Sequence, residues 1–122
     1  MIGGFGADRL VGNTDDDILI AGYTSYDGND DALCAIMKEW TSAGSYSSRT
    51  ANILAGTGLT NGFKLDGNDG ANQTVFNDND ADTLTGSQGV DWFFANQVAD
   101  NGGVLDTVTD KAASELWNDT DF

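Results

Sequence analysis

"GGFGADRLV" at residues 3–11 runs directly into "GNTDDDILI" at residues 12–20. Each nine-residue stretch opens on Gly, carries Asp in sixth place and an apolar residue in eighth. The spacing returns in the second half as "NDNDADTLT" at 77–85 and "GSQGVDWFF" at 86–94, so Asp8 and Asp17, then Asp82 and Asp91, keep the same step. A weaker copy, "NGGVLDTVT" at 101–109, puts Asp106 sixth and Val108 eighth after a six-residue slip. The weakest, "GNDGANQTV" at 67–75, has Asn72 and Thr74 in those places. A fixed short period of this kind is the mark of units that bury their apolar residue only by stacking on one another.

Six residues rich in Gly suit a turn, because glycine enters left-handed backbone at no steric cost. Asn13 and Asp15 stand where the first copy has Gly4 and Gly6, and Asn and Asp tolerate that region better than other residues. The last three residues of each unit read as a short strand whose central side chain points to one face and its neighbours to the other. A carboxylate at a fixed place beside inward-turned carbonyls suits calcium, which takes six to eight hard oxygen ligands.

Composition points the same way. The 122 residues are one domain's worth, with 5 Lys plus Arg against 20 Asp plus Glu and a net charge of −15. Nucleic acid and anionic membrane surfaces are therefore poor partners, and a cation is a good one. Of the acids 18 are Asp and only Glu39 and Glu115 are Glu, a bias toward turns, caps and ion sites rather than solvated helices. Sixteen Gly, eleven Asn and no Pro fit a chain of tight turns, while 3 Trp, 3 Tyr and 6 Phe argue against a disordered acidic tail. With no His and a single cysteine, Cys34, an imidazole triad, an internal disulfide and a multi-Cys metal site are excluded.

The nonapeptides resemble those of the hemolysin-type, or RTX, calcium-binding proteins, whose unit is G-G-x-G-x-D-x-U-x with U a large apolar residue. Residues 3–11 match every fixed position through Gly3, Gly4, Gly6, Asp8 and Leu10. Residues 86–94 match through Gly86, Gly89, Asp91 and Phe93, with Ser87 in second place; residues 12–20 keep Gly12, Asp17 and Leu19. The resemblance implies a mainly β fold, a parallel β-roll or RTX solenoid of short strands, here with an inserted α-helical hairpin. It implies several Ca2+ ions, two to five, each held between turns two repeats apart. The metal-binding residues it implies are Gly3, Gly4, Gly6, Asp8, Gly12, Asn13, Asp15, Asp17, Asn77, Asp78, Asp80, Asp82, Gly86, Gly89, Asp91 and Asp106.

Between the repeat blocks the period changes. Leu33, Ile36, Met37 and Trp40 recur at helical spacing, with Asn29 as N-cap, Asp30 and Asp31 in the first turn and Gly44 beyond the end, which predicts a helix over about 30–42. That stripe is expected to be core, with Cys34 a buried small hydrophobe. Ser45 as cap, Tyr46, Thr50, Ile53 and Leu54 on one side and Gly56 as terminator predict a second helix over about 46–55. "FKLDG" at 63–67 is expected to return as a strand, and 112–117 in the tail as a short helix or irregular. The organisation expected is N-terminal repeats at 1–26, a helical hairpin at 27–62, and repeats with a tail at 63–122, in one compact domain. The turn at 12–17 is expected to stack near 67–72 or 77–82.

No apolar run reaches the ~20 residues that span a bilayer. "MIGGFGADRL" lacks a basic and an apolar region, so no cleavable signal peptide is visible. No nucleophile elbow or activated serine appears, so an enzyme is not expected. The expected function is a calcium-binding module of a secreted bacterial protein that folds on calcium outside the cell; the resemblance implies type I secretion. The alternative is a calcium-dependent subunit that self-associates through open roll ends into extracellular filaments or a surface layer, since the chain opens on a perfect repeat without a polar cap.

Overall fold

A computed structural model describes residues 1–99 and 103–122; Asn101 and Gly102, which open the copy at 101–109, lie outside the described residues. Among the described residues eight short strands and two helices follow in the order β1 (Arg9–Val11), β2 (Ile18–Ile20), β3 (Tyr23–Thr24), α1 (Asp30–Trp40), α2 (Tyr46–Ala55), β4 (Val75–Phe76), β5 (Thr83–Thr85), β6 (Trp92–Phe94), β7 (Thr107–Val108) and β8 (Leu116–Asn118). A 3-10 turn at Gly58–Thr60 follows α2. The chain divides into two compact units, Met1–Thr24 with Gly67–Phe122, and Ser25–Asp66.

In the first unit the strands of the strong repeats pair in parallel. β1, β5 and β7 form one three-stranded sheet in that order, and β2, β6 and β8 form another. The eighth residues of the units come into register, Leu10 with Leu84 and Val108, and Leu19 with Phe93 and Trp117. Leu10, Leu19, Ala21, Leu84, Phe93 and Ala95 make one buried cluster, with Val108 and Trp117 packed against it. Fully burying a side chain such as Leu19 or Phe93 contributes about 1.5–3 kcal/mol. β3 and β4 pair antiparallel in a separate two-stranded sheet.

A mainly β parallel roll is not what these residues build. Helix, at 20% of the chain, exceeds strand at 18%, and the strands lie in three small sheets that do not close. A continuous solenoid would place neighbouring rungs two nine-residue units apart. Here equivalent turns are 74 residues apart from the first rung to the second, and 24 apart from the second to the third. The insertion and the six-residue slip break the succession, and the antiparallel β3–β4 pair has no place in a parallel roll. The weakest copy contributes one residue to that pair: Val75 ends it and enters β4, while Thr74 is buried and Asn72 exposed. The turn at 12–17 meets 86–91, not 67–72 or 77–82, because β2 pairs with β6.

The second unit carries both helices with the predicted caps. Asn29 Oδ1 accepts from Ala32 N–H (3.1 Å), Ser45 Oγ accepts from Ser48 N–H (3.2 Å), and Gly56 ends α2 in the left-handed region at φ 70°. The buried face of α1 differs from the expected stripe. It consists of Ala32, Ile36, Glu39 and Trp40, while Met37 is exposed, Leu33 is half-buried and Cys34 is exposed rather than buried. Glu39 takes an inward place because its carboxylate is fully engaged: Asn52 Nδ2 donates to Oε1 (2.8 Å) and Leu59 N–H to Oε2 (2.7 Å). Arg49 donates to the Trp40 carbonyl (2.5 Å) and lies 4.8 Å over the Trp40 ring, fastening α2 to the end of α1. Residues 63–67 form no strand; Leu65 is buried and its N–H donates to the Ile53 carbonyl, outside any ladder.

Candidate metal centre

The turns at 3–8, 12–17 and 86–91 are shaped by residues in the left-handed region. At 3–8 these are Gly4 (φ 98°) and Gly6 (φ 100°), at 12–17 Asn13 (82°) and Asp15 (69°), and at 86–91 Ser87 (80°) and Gly89 (144°). Three turns with different residues thus share a pattern, with positive φ in second and fourth places. The turn at 77–82 departs from it, with its left-handed residue third, Asn79 at 71°.

The opening glycines have a different role. A Cβ on Gly12 would collide with Asp17 Oδ2 and stand 2.6 Å from the Gly86 carbonyl, and one on Gly86 would collide with Asp91 Oδ2. A Cβ on Gly3 would collide with the Ala21 carbonyl and stand 3.1 Å from Asp8 Oδ2. The sixth-place carboxylate therefore folds back over the first-place Cα of its own turn, into space that any side chain would fill.

Four sixth-place carboxylates reach the turn stacked beside them. Asp82 Oδ1 accepts from Asp8 N–H (2.6 Å) and Asp106 Oδ1 from Asp82 N–H (2.9 Å). In the second row Asp91 Oδ1 accepts from Asp17 N–H (2.8 Å) and Glu115 Oε1 from Asp91 N–H (3.2 Å). Hydrogen bonds to charged groups of this type contribute about 1.5–3 kcal/mol each. Further carboxylates lace the turns together: Asp78 Oδ2 accepts from Gly6 N–H (2.8 Å), Asp16 Oδ1 from Val90 N–H (2.9 Å), and Asp110 from both Gly86 N–H (2.9 Å) and Ser87 N–H (2.8 Å).

Some of these carboxylates have an oxygen left over: Asp8 Oδ2, Asp17 Oδ2 and Asp82 Oδ2 are buried with no hydrogen-bond partner among the described residues. Burial pushes Asp82 up to about 6, against the Asp8 N–H bond that favours the charged form, and the charges of Asp106, Asp78 and Asp8 push further. Burial likewise raises Asp17, Asp91 and Asp106. Asp106 is differently placed, since its Oδ2 accepts from Asn96 N–H (2.8 Å) and both of its oxygens are engaged.

Of the residues the sequence marked, the structure brings Gly6 and Asp8 against Asp78 and Asp82, and Gly12 and Asp17 against Gly86 and Asp91; Gly3 and Gly4 N–H donate instead to the Ile20 and Gly22 carbonyls, the Asn13 carbonyl accepts from Gln88 N–H, and Asn77 N–H donates to the Asp121 carbonyl. Asp15 contributes its backbone, close against Gly89, and Asp80 is exposed outside the ladder. Asp16, Asp110 and Glu115 were missed. The frame held the signal for two of them: 110–118 follows 101–109 without a gap, as 12–20 follows 3–11, with Asp110 first, Glu115 sixth and Trp117 eighth. The change from Asp to Glu and the lack of glycine hid that unit.

These residues fit a hard cation in two respects, the unsatisfied buried carboxylate oxygens and the cradles kept free of Cβ atoms. Among the described residues no three or more Asp, Glu, Cys or His side chains converge on one point. A cation here draws on backbone carbonyls as well as carboxylates, a mixture calcium accepts. A groove lined by Cys34, Met37, Lys38, Leu59 and Phe63 lies in the second unit and involves none of the turn residues. Among the described residues no helix is long and apolar enough to cross a membrane. No family model, curated protein or solved structure matches the chain.

Proposed function

We propose that this chain is a calcium-binding module whose repeat turns are completed by the ion. The observation that carries the reading is the set of buried, unpartnered oxygens on Asp8, Asp17 and Asp82. A buried carboxylate without compensation costs several kcal/mol, and a divalent cation with a preference for oxygen offsets that cost. In this reading one ion draws on the turns at 3–8 and 77–82, with Asp8 and Asp82, and another on those at 12–17 and 86–91, with Asp17 and Asp91. The ion supplies charge neutralisation and extra oxygen coordination. The chain supplies the turn shape, the ladder that fixes each carboxylate, and the dry interior behind it.

Metal binding of this kind is coupled to folding, so the module is stable where calcium is plentiful, as in a secreted bacterial protein outside the cell. The Asp106 and Glu115 N–H groups are engaged within the chain, by the Asn96 carbonyl (2.8 Å) and the Ala112 carbonyl (3.2 Å), so neither is offered to a further copy.

The test is a calcium titration of chelator-stripped protein followed by circular dichroism, melting and calorimetry. Ligand at a hundred times its dissociation constant stabilises by about 2.7 kcal/mol per site, so a clear rise in melting temperature is expected, with magnesium far less effective. Asp17→Asn and Asp82→Asn should each weaken the calcium response. Identical melts in calcium and in EGTA would overturn the reading.

A further inference from the structure

Phe5 is the third residue of the first turn and is 79% exposed, the least buried large apolar side chain among those described. An exposed Phe in an ion-binding turn calls for a reason. Its ring stacks on Tyr23 with centroids 4.7 Å apart and planes 29° apart, and Tyr23 stacks on Phe76 at 5.2 Å and 17°. Tyr23 and Phe76 are also directly paired in the β3–β4 sheet. Phe76 immediately precedes 77–82, the turn whose Asp78 and Asp82 accept from Gly6 and Asp8 N–H groups. The three rings therefore join the first turn to the root of its partner by a path separate from the carboxylate ladder.

The first turn has particular need of such a tie. Phe5 lies between Gly4 and Gly6, both left-handed, and glycine gives up more conformational freedom on ordering than any other residue. The turn at 12–17 has Asn13 and Asp15 in those two places and Thr14, which has no ring, in the third.

We propose that Phe5 is the positioning residue of the first cation site, holding the turn at 3–8 closed on 77–82 through Tyr23 and Phe76 so that Asp8 and Asp82 meet the ion already in place. The inference rests on the calcium reading above. Phe5 does not touch the ion; it removes part of the ordering cost that binding would otherwise carry. Aromatic stacking of this type is equivalent to roughly a two- to twelvefold change in an equilibrium constant.

The experiment is a calcium titration of uniformly 15N-labelled full-length protein, wild type, Phe5→Ala and Phe5→Trp. The amides of Gly4 and Gly6 report the first site, and those of Gly12 and Gly89 the second. For Phe5→Ala the expected result is an affinity about fivefold lower at Gly4 and Gly6 with Gly12 and Gly89 unchanged; Phe5→Trp, which keeps the stack, should restore it. Equal weakening at both sites would show a general loss of stability and overturn the proposal, as would an unchanged first site. A wild type without calcium-dependent shifts would overturn the calcium reading and this one together, whereas normal binding by all three proteins would overturn this one alone.

Discussion

Asp82 sits in conflict with its surroundings: burial and the charges of Asp106, Asp78 and Asp8 oppose its charge, and the Asp8 N–H favours it. In protein stripped of cations this sets a pH dependence whose sign is the reverse of ordinary acid denaturation. A carboxyl raised from 3.8 to about 6 binds its proton more tightly folded than unfolded. Its contribution is fully present below the unfolded value and is lost as pH rises through about 6. Asp17, Asp91 and Asp106 shift in the same direction. Glu39 runs oppositely, held below 4.5 by the Asn52 amide and then the Leu59 N–H, so its contribution is present above that value and lost as pH falls below it. Urea unfolding in EGTA, followed through the indole NMR signals of Trp92 and Trp40, should show Trp92 more resistant at pH 5 than at pH 7.5, and Trp40 losing resistance below pH 4.5. A Trp92 signal less resistant at pH 5 would contradict the assignment of Asp82.

At the scale of the turn, first-place glycine is required by contact rather than by backbone conformation. Gly12 and Gly86 are absent from the left-handed set, yet a Cβ on either collides with its own turn's Asp. Gly12→Ala should therefore destabilise by about 1–3 kcal/mol through overpacking. Gly28→Ala, at a position with open space around it, should stay within about 0.5 kcal/mol. Paired denaturant curves measure both, and equal stability of the two variants would remove the cradle from the account. The short strands were legible because an apolar residue in a fixed eighth place leaves little choice of face. The face of α1 was not, because helical spacing admitted Met37 as readily as Glu39. What decides between them is the pair of donors from Asn52 and Leu59, partners that no local pattern in the sequence displays. β8 was hidden for a related reason: Leu116–Asn118 is a poor strand alone and becomes one beside β6.

For the whole molecule the sequence revealed the repeating unit but not the order in which copies meet. The nine-residue period marks turns and strands wherever it occurs, and nothing in it says that 3–11 lies beside 77–85 rather than beside its own successor. The expectation of a mainly β roll treated the insertion as an interruption, whereas the helices of that insertion are a comparable share of the chain.

That order of meeting also imposes a schedule. Asp82 and Asp106 are 24 residues apart and their turns can close on each other early, but the Asp8 N–H waits for an acceptor 74 residues further on. Loop-closure entropy grows with the logarithm of length, so the longer closure costs about 1 kcal/mol more and is expected to come second. Stopped-flow refolding should then find Val108→Ala slowing folding, and Leu10→Ala chiefly hastening unfolding. The reverse pattern would mean that the longer closure leads. On a ribosome the consequence is one of time: Gly3 and Gly4 meet Ile20 and Gly22 soon after they are made, whereas the strand at Arg9–Val11 and the Asp8 N–H wait until the copy at 77–85 has emerged.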